Sequence, residues 1–384
     1  MKILFAMDEY FAANNGGGIS AQRFAEELKK LGHEIKILAS DVNGQPDFPL
    51  GEFKLPLFDP LVKKQGVTFA KANREMIEQA VAWADLVHLE NCFVIASKTA
   101  KTAFSMGKPC TGVFHTYPEN ITSSVHLAWM NPLNKALARA FEHNVFQYCS
   151  DIHCPSEKVM QNLLNWGYTA DLHVISNGVT SEFEFRRDPK PAAYQDKFVI
   201  IMIGRYSHEK RQDVLIKAVK QSKYADRIQL IFAGQGPLEK KFRRLSKKLA
   251  NQPVFGFLQK PELIKVMAYS DLYVHTAQVE IEGMSCLEAI ASGLVPIIAD
   301  GKMTSTGKFA LDSRSLFNSG DSKQLAEKID YWLGNAEERQ RMELIYHEFA
   351  QKYDIRKSVQ ELEKMFCNAC GKTESQNPET VMTV

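Results

Sequence analysis

Two glutamates eight residues apart, Glu280 and Glu288, bracket a glycine in the stretch Glu-Ile-Glu-Gly-Met-Ser-Cys-Leu-Glu-Ala-Ile-Ala-Ser-Gly from 280 to 293. Ser285 followed three residues later by Glu288 has the form of a capping box, and Gly293 that of a terminator, so the spacing predicts a helix that starts near Ser285. The free backbone N–H groups and positive dipole end of such a helix suit a phosphate. Glu288 has structural work as a capping residue. Glu280, in the loop before the helix, has none. Upstream, Gly204-Arg205-Tyr206-Ser207-His208-Glu209-Lys210-Arg211 crowds three cations into a turn before another helix, where the dipole disfavours positive charge. An anion is expected among them. His115 closes an apolar run at a predicted strand end, where a ligand-facing histidine competes with a hydrogen-bonded core one. Gly16-Gly17-Gly18 after a strand permits close approach to a phosphate, although turns use glycine as often. Gly234-Gln235-Gly236-Pro237 reads as a turn with proline opening a helix, whose Lys240, Lys241, Arg243, Arg244, Lys247 and Lys248 form a solvated face more readily than a membrane-facing one.

These residues need a scaffold that brings strand ends together. Apolar runs at Lys2–Met7, Glu34–Ala39, Asp85–Leu89, Pro109–His115, Asp151–Cys154 and Leu172–Ser176 alternate with helical patterns. A polar stretch, Asp41–Pro60, reads as loop. Glu182–Asp196 lacks periodicity and reads as an interdomain linker. The alternation then restarts at Lys197–Ile203, Arg227–Ala233, Pro253–Phe257, Leu272–Ala277 and Leu294–Ala299. Two doubly wound α/β domains follow, with candidate residues at the carboxyl ends of the strands, where such sheets bind ligands. The expected boundaries are 1–185, 186–352, a helix over 353–370 that crosses back to the first domain, and a disordered tail over 371–384.

Length suits two cores better than one, since the chain has 384 residues. A net charge of +2 gives no argument for nucleic acid. No long apolar run exists, and Asp8 and Glu9 interrupt the first one, which excludes a signal peptide and places the protein in the cytoplasm, either free or peripheral to the inner membrane face. The seven cysteines sit mostly in apolar runs and read as small buried hydrophobes.

Taken together, the motifs resemble the retaining glycosyltransferases of the GT-B fold, specifically glycosyltransferase family 4. Glu280 and Glu288 match the family's Glu-x7-Glu signature, with Gly283 its internal glycine. Gly204-Arg205 with Glu209-Lys210, Gly234-x-Gly236-Pro237 and Val254-Phe255-Gly256-Phe257 match further elements. His115 matches the histidine of the N-terminal domain, and Gly16 to Gly18 the first phosphate-facing turn. The resemblance implies an N-terminal acceptor-binding domain and a C-terminal nucleotide-sugar domain, both Rossmann-like, facing an interdomain cleft. It implies transfer of a hexose from a UDP-sugar, or less favoured a GDP-sugar, to a glycan or lipid acceptor, with no metal or other cofactor.

Residue by residue, the resemblance assigns Arg205 and Lys210 to the diphosphate, together with Gly16, Gly17, Gly283 and the backbone of Met284, Ser285, Cys286 and Leu287. It assigns Glu288 to the ribose, Glu280 to the donor sugar, His115 to the neighbourhood of the anomeric carbon, and the backbone at Phe257 and Leu258 to the base. Two departures stand out. Glu282 replaces a common aromatic, and Asp300 to Thr306 lacks the frequent Gly-Gly-x-Pro-Glu. A non-catalytic sugar-nucleotide-binding protein, an epimerase of the same fold and a pyridoxal-dependent phosphorylase are the competing readings.

Overall fold

The computed structural model describes residues 1–12, 16–54, 68–123, 127 and 129–376. The chain divides into two units, one of Met1–Asn177 with Ile355–Val384 and one of Gly178–Asp354.

The first unit is built on a seven-stranded sheet in the order Phe48–Leu50, Glu34–Ser40, Lys2–Ala6, Leu86–Leu89, Cys110–Val113, Asp151–Cys154, Asp171–Val174. All of its pairings are parallel. Its central strands are buried on both faces, which is why they read as continuous apolar runs rather than alternating ones. The strand order reverses between Lys2–Ala6 and Leu86–Leu89, and a crevice opens at the carboxyl ends of these two strands. The helix Gly16–Lys30 packs Phe24, Ala25 and Leu28 against Phe5 and Ile37, in one cluster with Val359, Leu362 and Phe366 of the last helix.

That last helix runs from Ile355 to Gln376. The tail expected from Gly371 onward is thus helical for its first residues, and its remainder lies outside the described residues. The stretch expected as a loop also carries structure: Phe48–Leu50 forms the sheet's edge strand and Glu52–Phe53 pairs with Phe69–Ala70. Strands this short show no alternation, and Pro49 is tolerated because an edge leaves one side of the ladder unpaired. Residues 55–60 of that stretch lie outside the described residues.

The second unit has a six-stranded parallel sheet in the order Val254–Gly256, Ile228–Ala233, Phe198–Ile203, Leu272–His275, Pro296–Asp300, Leu316–Asn318. Its reversal falls between Phe198–Ile203 and Leu272–His275. The core joins Ile200, Val274 and Ile297 of the sheet to Leu287, Ile290 and Trp332 of the helices. The segment expected as a linker belongs to this unit: the Arg187 guanidinium pairs with Glu343 at 2.7 Å and donates to the carbonyls of Ser270 and Gly293. Together with Lys190, which reaches Asp271 at 2.5 Å and Lys197 O at 2.7 Å, it fixes the segment without any periodic pattern.

Candidate functional site

In the second unit the residues singled out from the sequence gather at the strand reversal. Gly204-Arg205 leaves the strand Phe198–Ile203 and packs backbone to backbone on the turn at 234–236. A Cβ on Gly234 would lie 2.1 Å from Gly204 O, and one on Gly236 would lie 2.6 Å from Tyr206 O. The two glycine motifs are therefore one structural joint, closed by Tyr206, whose hydroxyl donates to Phe232 O at 2.6 Å and accepts from Gly256 N at 3.1 Å.

The cationic loop is held from the neighbouring strand end. Thr276 Oγ1 lies 2.7 Å from Lys210 O and 2.9 Å from Arg211 O, and Gln278 N donates to Glu209 O at 2.8 Å. The anions expected among its cations are supplied by the protein itself. Arg205 pairs with Glu209 at 2.9 Å, Arg211 with Asp213 at 2.9 Å, and Lys210 with Glu280. Crowded charge in the sequence is thus met by counter-ions of the protein's own.

Glu280 is the centre of this arrangement. It lies in a two-residue strand, Val279–Glu280, paired with Met303–Thr304. Its carboxylate takes Lys210 Nζ and, at 3.1 Å, His275 Nε2. His275 Nδ1 meets the Tyr273 hydroxyl at 2.9 Å, which also contacts Ser285 Oγ at 3.1 Å. Burial would raise the pKa of Glu280, but the Lys210 ammonium and the His275 bond outweigh it and hold the carboxyl at about 2. Glu280 is therefore ionised at any working pH. Glu280 and Lys210 are also mostly buried, at 14% and 20% side-chain exposure, so removing either leaves the other a poorly solvated charge. This corrects the reading that Glu280 has no structural work.

The helix after Glu280 runs Met284–Ala291 and starts differently from the predicted capping box. Its N-cap is Gly283, in the left-handed region at φ 89°, and Ser285 turns to Tyr273 instead. Only glycine takes that conformation without cost, so the cap function moved from a side chain to backbone freedom. The N–H groups of Cys286 and Leu287 both donate to Gly283 O, at 2.9 and 3.2 Å. Those of Met284 and Ser285 are left at the open helix end, fewer than the expected run to Leu287. Glu288 is buried on the same helix. Phe257, just past the edge strand Val254–Gly256, is 39% exposed, and Leu258 is half-buried.

In the first unit His115 sits two residues beyond its strand, 10% exposed, with Nε2 3.9 Å from Glu90. Met7, Asp8, Phe69, Glu90, Asn91 and His115 line a small cavity of about 70 Å³ at the strand reversal. Gly16 and Gly17 form the first turn of their helix, and Gly18 packs against the carbonyls of Tyr10 and Glu9, at 3.0 and 3.2 Å from its would-be Cβ. The sequence reading missed Asp8, Glu90, Asn91 and His275. Asp8 and Glu90-Asn91 directly follow the two strands that flank the reversal, a signal that needed the strand order to be read.

Burial pushes Glu90 up to about 8 and Asp8 up to about 7, the latter against the pull of the Ala70 and Asn91 hydrogen bonds. Burial, with His153 nearby, pushes His115 down to about 3. Burial likewise takes His153 down to about 4. A carboxyl whose native pKa is raised keeps a proton that the unfolded chain releases, so stability falls as pH rises from its ordinary value toward its native one. The histidines act oppositely: they cost stability only below their ordinary 6.5. Between pH 6.5 and 8 the carboxyls act alone among these groups. Glu90→Gln is expected to flatten the decline in stability over that range by about two-thirds, read from urea unfolding at a series of pH values.

Residues 184–344 match the family model described as glycosyl transferases group 1, and residues 14–183 match that of glycosyltransferase family 4. The alpha-monoglucosyldiacylglycerol synthase of Streptococcus pneumoniae is 24% identical over 325 residues, 78% of this chain and 71% of the relative. The sulfoquinovosyl transferase SQD2 of Arabidopsis thaliana is 26% identical over 373 residues, 92% of this chain and 70% of that protein. Among solved structures, Anabaena HepE in complex with UDP-glucose superposes with a TM-score of 0.74 at 17% identity, covering 96% of this chain and all (100%) of that one, a likeness of fold. Residues 184–344 thus belong to the glycosyl transferases group 1 and residues 14–183 to glycosyltransferase family 4, and the chain is a glycosyltransferase of the GT-B fold.

Proposed function

We propose that the protein transfers a hexose, glucose in first place, from a UDP-sugar to a lipid hydroxyl, with retention at the anomeric carbon and without a metal. The observation that carries this reading is the Lys210–Glu280 pair set before the open N-terminus at Met284 and Ser285. Cleaving the sugar–phosphate bond builds negative charge on the departing diphosphate. Fixed cations at Lys210 and Arg205, with those two N–H groups, stabilise that charge more in the transition state than in the ground state.

Glu280, held ionised, accepts hydrogen bonds from the donor sugar's hydroxyls. Glu288 takes the ribose, and the backbone at Phe257 and Leu258 the base. Neutral His115 serves as an uncharged hydrogen-bond partner for a bound sugar. UDP is favoured over GDP because a neighbour of the same fold binds UDP-glucose. A lipid acceptor is favoured over a glycan because the Streptococcus relative is by name a synthase of an α-glucosylated diacylglycerol. Among the described residues no helix is long and apolar enough to cross a membrane, so such an acceptor is met at a bilayer surface.

The experiment is a panel of nucleotide sugars with diacylglycerol vesicles as acceptor, in EDTA, followed by NMR of the product. An α-linked glycolipid formed from UDP-glucose is expected. A β-linked product, or activity only after divalent metal is restored, contradicts the proposal.

A further inference from the structure

Glu282, one of the departures from the family pattern, is 1% exposed yet carries a carboxylate. Lys308 Nζ lies 3.0 Å from it. Lys308 belongs to the short helix Thr306–Phe309, and its ammonium stands 4.9 Å from the Phe309 ring centre and 5.5 Å from that of Tyr353. The same stretch touches the Glu280 segment twice more. Met303–Thr304 forms the parallel ladder with Val279–Glu280, continued by Ser305 N donating to Glu280 O at 3.0 Å. The Thr306 methyl covers Gly283 so closely that a Cβ there would lie 2.1 Å away.

The segment 303–309 therefore clamps 279–283 along its backbone, at its glycine and through one ion pair. The ladder and the glycine contact are inexpensive, whereas seating the fully buried Glu282 carboxylate against Lys308, whose side chain is 29% exposed, costs desolvation that an apolar residue of similar volume would avoid. The pair must then supply something that burial alone does not, a fixed geometry. Glu282 lies two residues after Glu280 and one before the helix cap, so holding its carboxylate sets the direction of both.

The geometry points to Glu282 and Lys308 as positioning residues that act together through Glu280 and the Gly283 cap. Neither touches the reacting atoms. This inference rests on the reading of the second unit as the donor site. If the pair orients Glu280 toward the transferred sugar, its loss lowers turnover more than it lowers affinity for the nucleotide, which gains additional binding from its ribose and base contacts.

Four variants of the full chain test this: Glu282→Gln, Lys308→Met, the double variant and Lys308→Arg. Thermal unfolding verifies the fold of each. Both single variants are expected to lose about tenfold in kcat with UDP-glucose while the Kd for UDP, by calorimetry, changes less than threefold. The double variant is expected to be no slower than the slower single, because a pair already broken cannot be broken twice. Lys308→Arg, which keeps the charge, is expected to recover at least half the activity. Unchanged kcat in both singles, or losses that multiply in the double, would overturn the inference. Failure of the wild-type protein to bind UDP would instead overturn the donor-site reading on which it rests.

Discussion

Lys210→Met is expected to lower kcat/KM about a thousandfold, at the upper end of what removal of one preorganised oxyanion partner costs. That is about 4 kcal/mol at the transition state. Two effects combine in this one residue. Its ammonium is proposed to face the charge that develops on the leaving diphosphate, and it also holds Glu280 in place. Losing the second role has a signature apart from activity. The variant should lose about 2–3 kcal/mol of stability at pH 7, below the range for fully buried pairs because both side chains keep some water.

The sign of the pH effect follows from Glu280. Its native pKa of about 2 lies below the ordinary 4.5, so it contributes stability above pH 4.5 that is lost as pH falls toward 2. Without Lys210 much of that contribution is absent, and the stability of the variant should change less with acidification than that of the wild type. Urea unfolding at pH 7, 5 and 3.5 measures this. A variant as stable as wild type at pH 7 would show that the ion pair is decorative.

Gly283→Ala should be nearly as damaging for a wholly steric reason. The left-handed conformation at φ 89° costs an L-residue about 1–2 kcal/mol. The new Cβ would also lie 2.1 Å from the Thr306 methyl, and Thr306 is fully buried with its hydroxyl 2.6 Å from that of Thr304. Either the helix start or the 303–309 clamp must move. We expect a loss of about 3 kcal/mol in stability, from the conformational cost and the overpacking together, and a fall in activity of a hundredfold or more. Thr306→Ser removes the methyl, so the double variant should regain the steric part and retain the conformational part. Circular dichroism melts of the three variants separate the two contributions.

Both doubly wound sheets were legible in the sequence because strands buried on both faces leave long apolar runs and the intervening helices leave a different period. What escaped were strands of two or three residues, such as Val279–Glu280, Phe48–Leu50 and Leu316–Asn318, which are too short to show any period. The donor-side residues were legible as types at set spacings, but their partners were not. Lys210 for Glu280 and Lys308 for Glu282 are contacts made by folding, between residues 70 and 26 positions apart.

The cap of the Met284–Ala291 helix shows the same limit from the other side. Ser285 and Glu288 have the right local spelling for a capping box, yet tertiary contacts claimed Ser285 for Tyr273 and left the cap to Gly283. Glu282, which the sequence alone could not place, became intelligible once Lys308 was brought beside it from 26 residues away.

Lys210, beside Glu280 and the open helix end, is proposed to bind the diphosphate of a nucleotide sugar without help from a metal. Calorimetric titration of UDP into the wild-type protein and into Lys210→Met, both in EDTA, tests it most directly. The wild type is expected to bind, and the variant to bind at least a hundredfold more weakly. Equal affinities, or wild-type binding that appears only when a divalent metal is added, would contradict it.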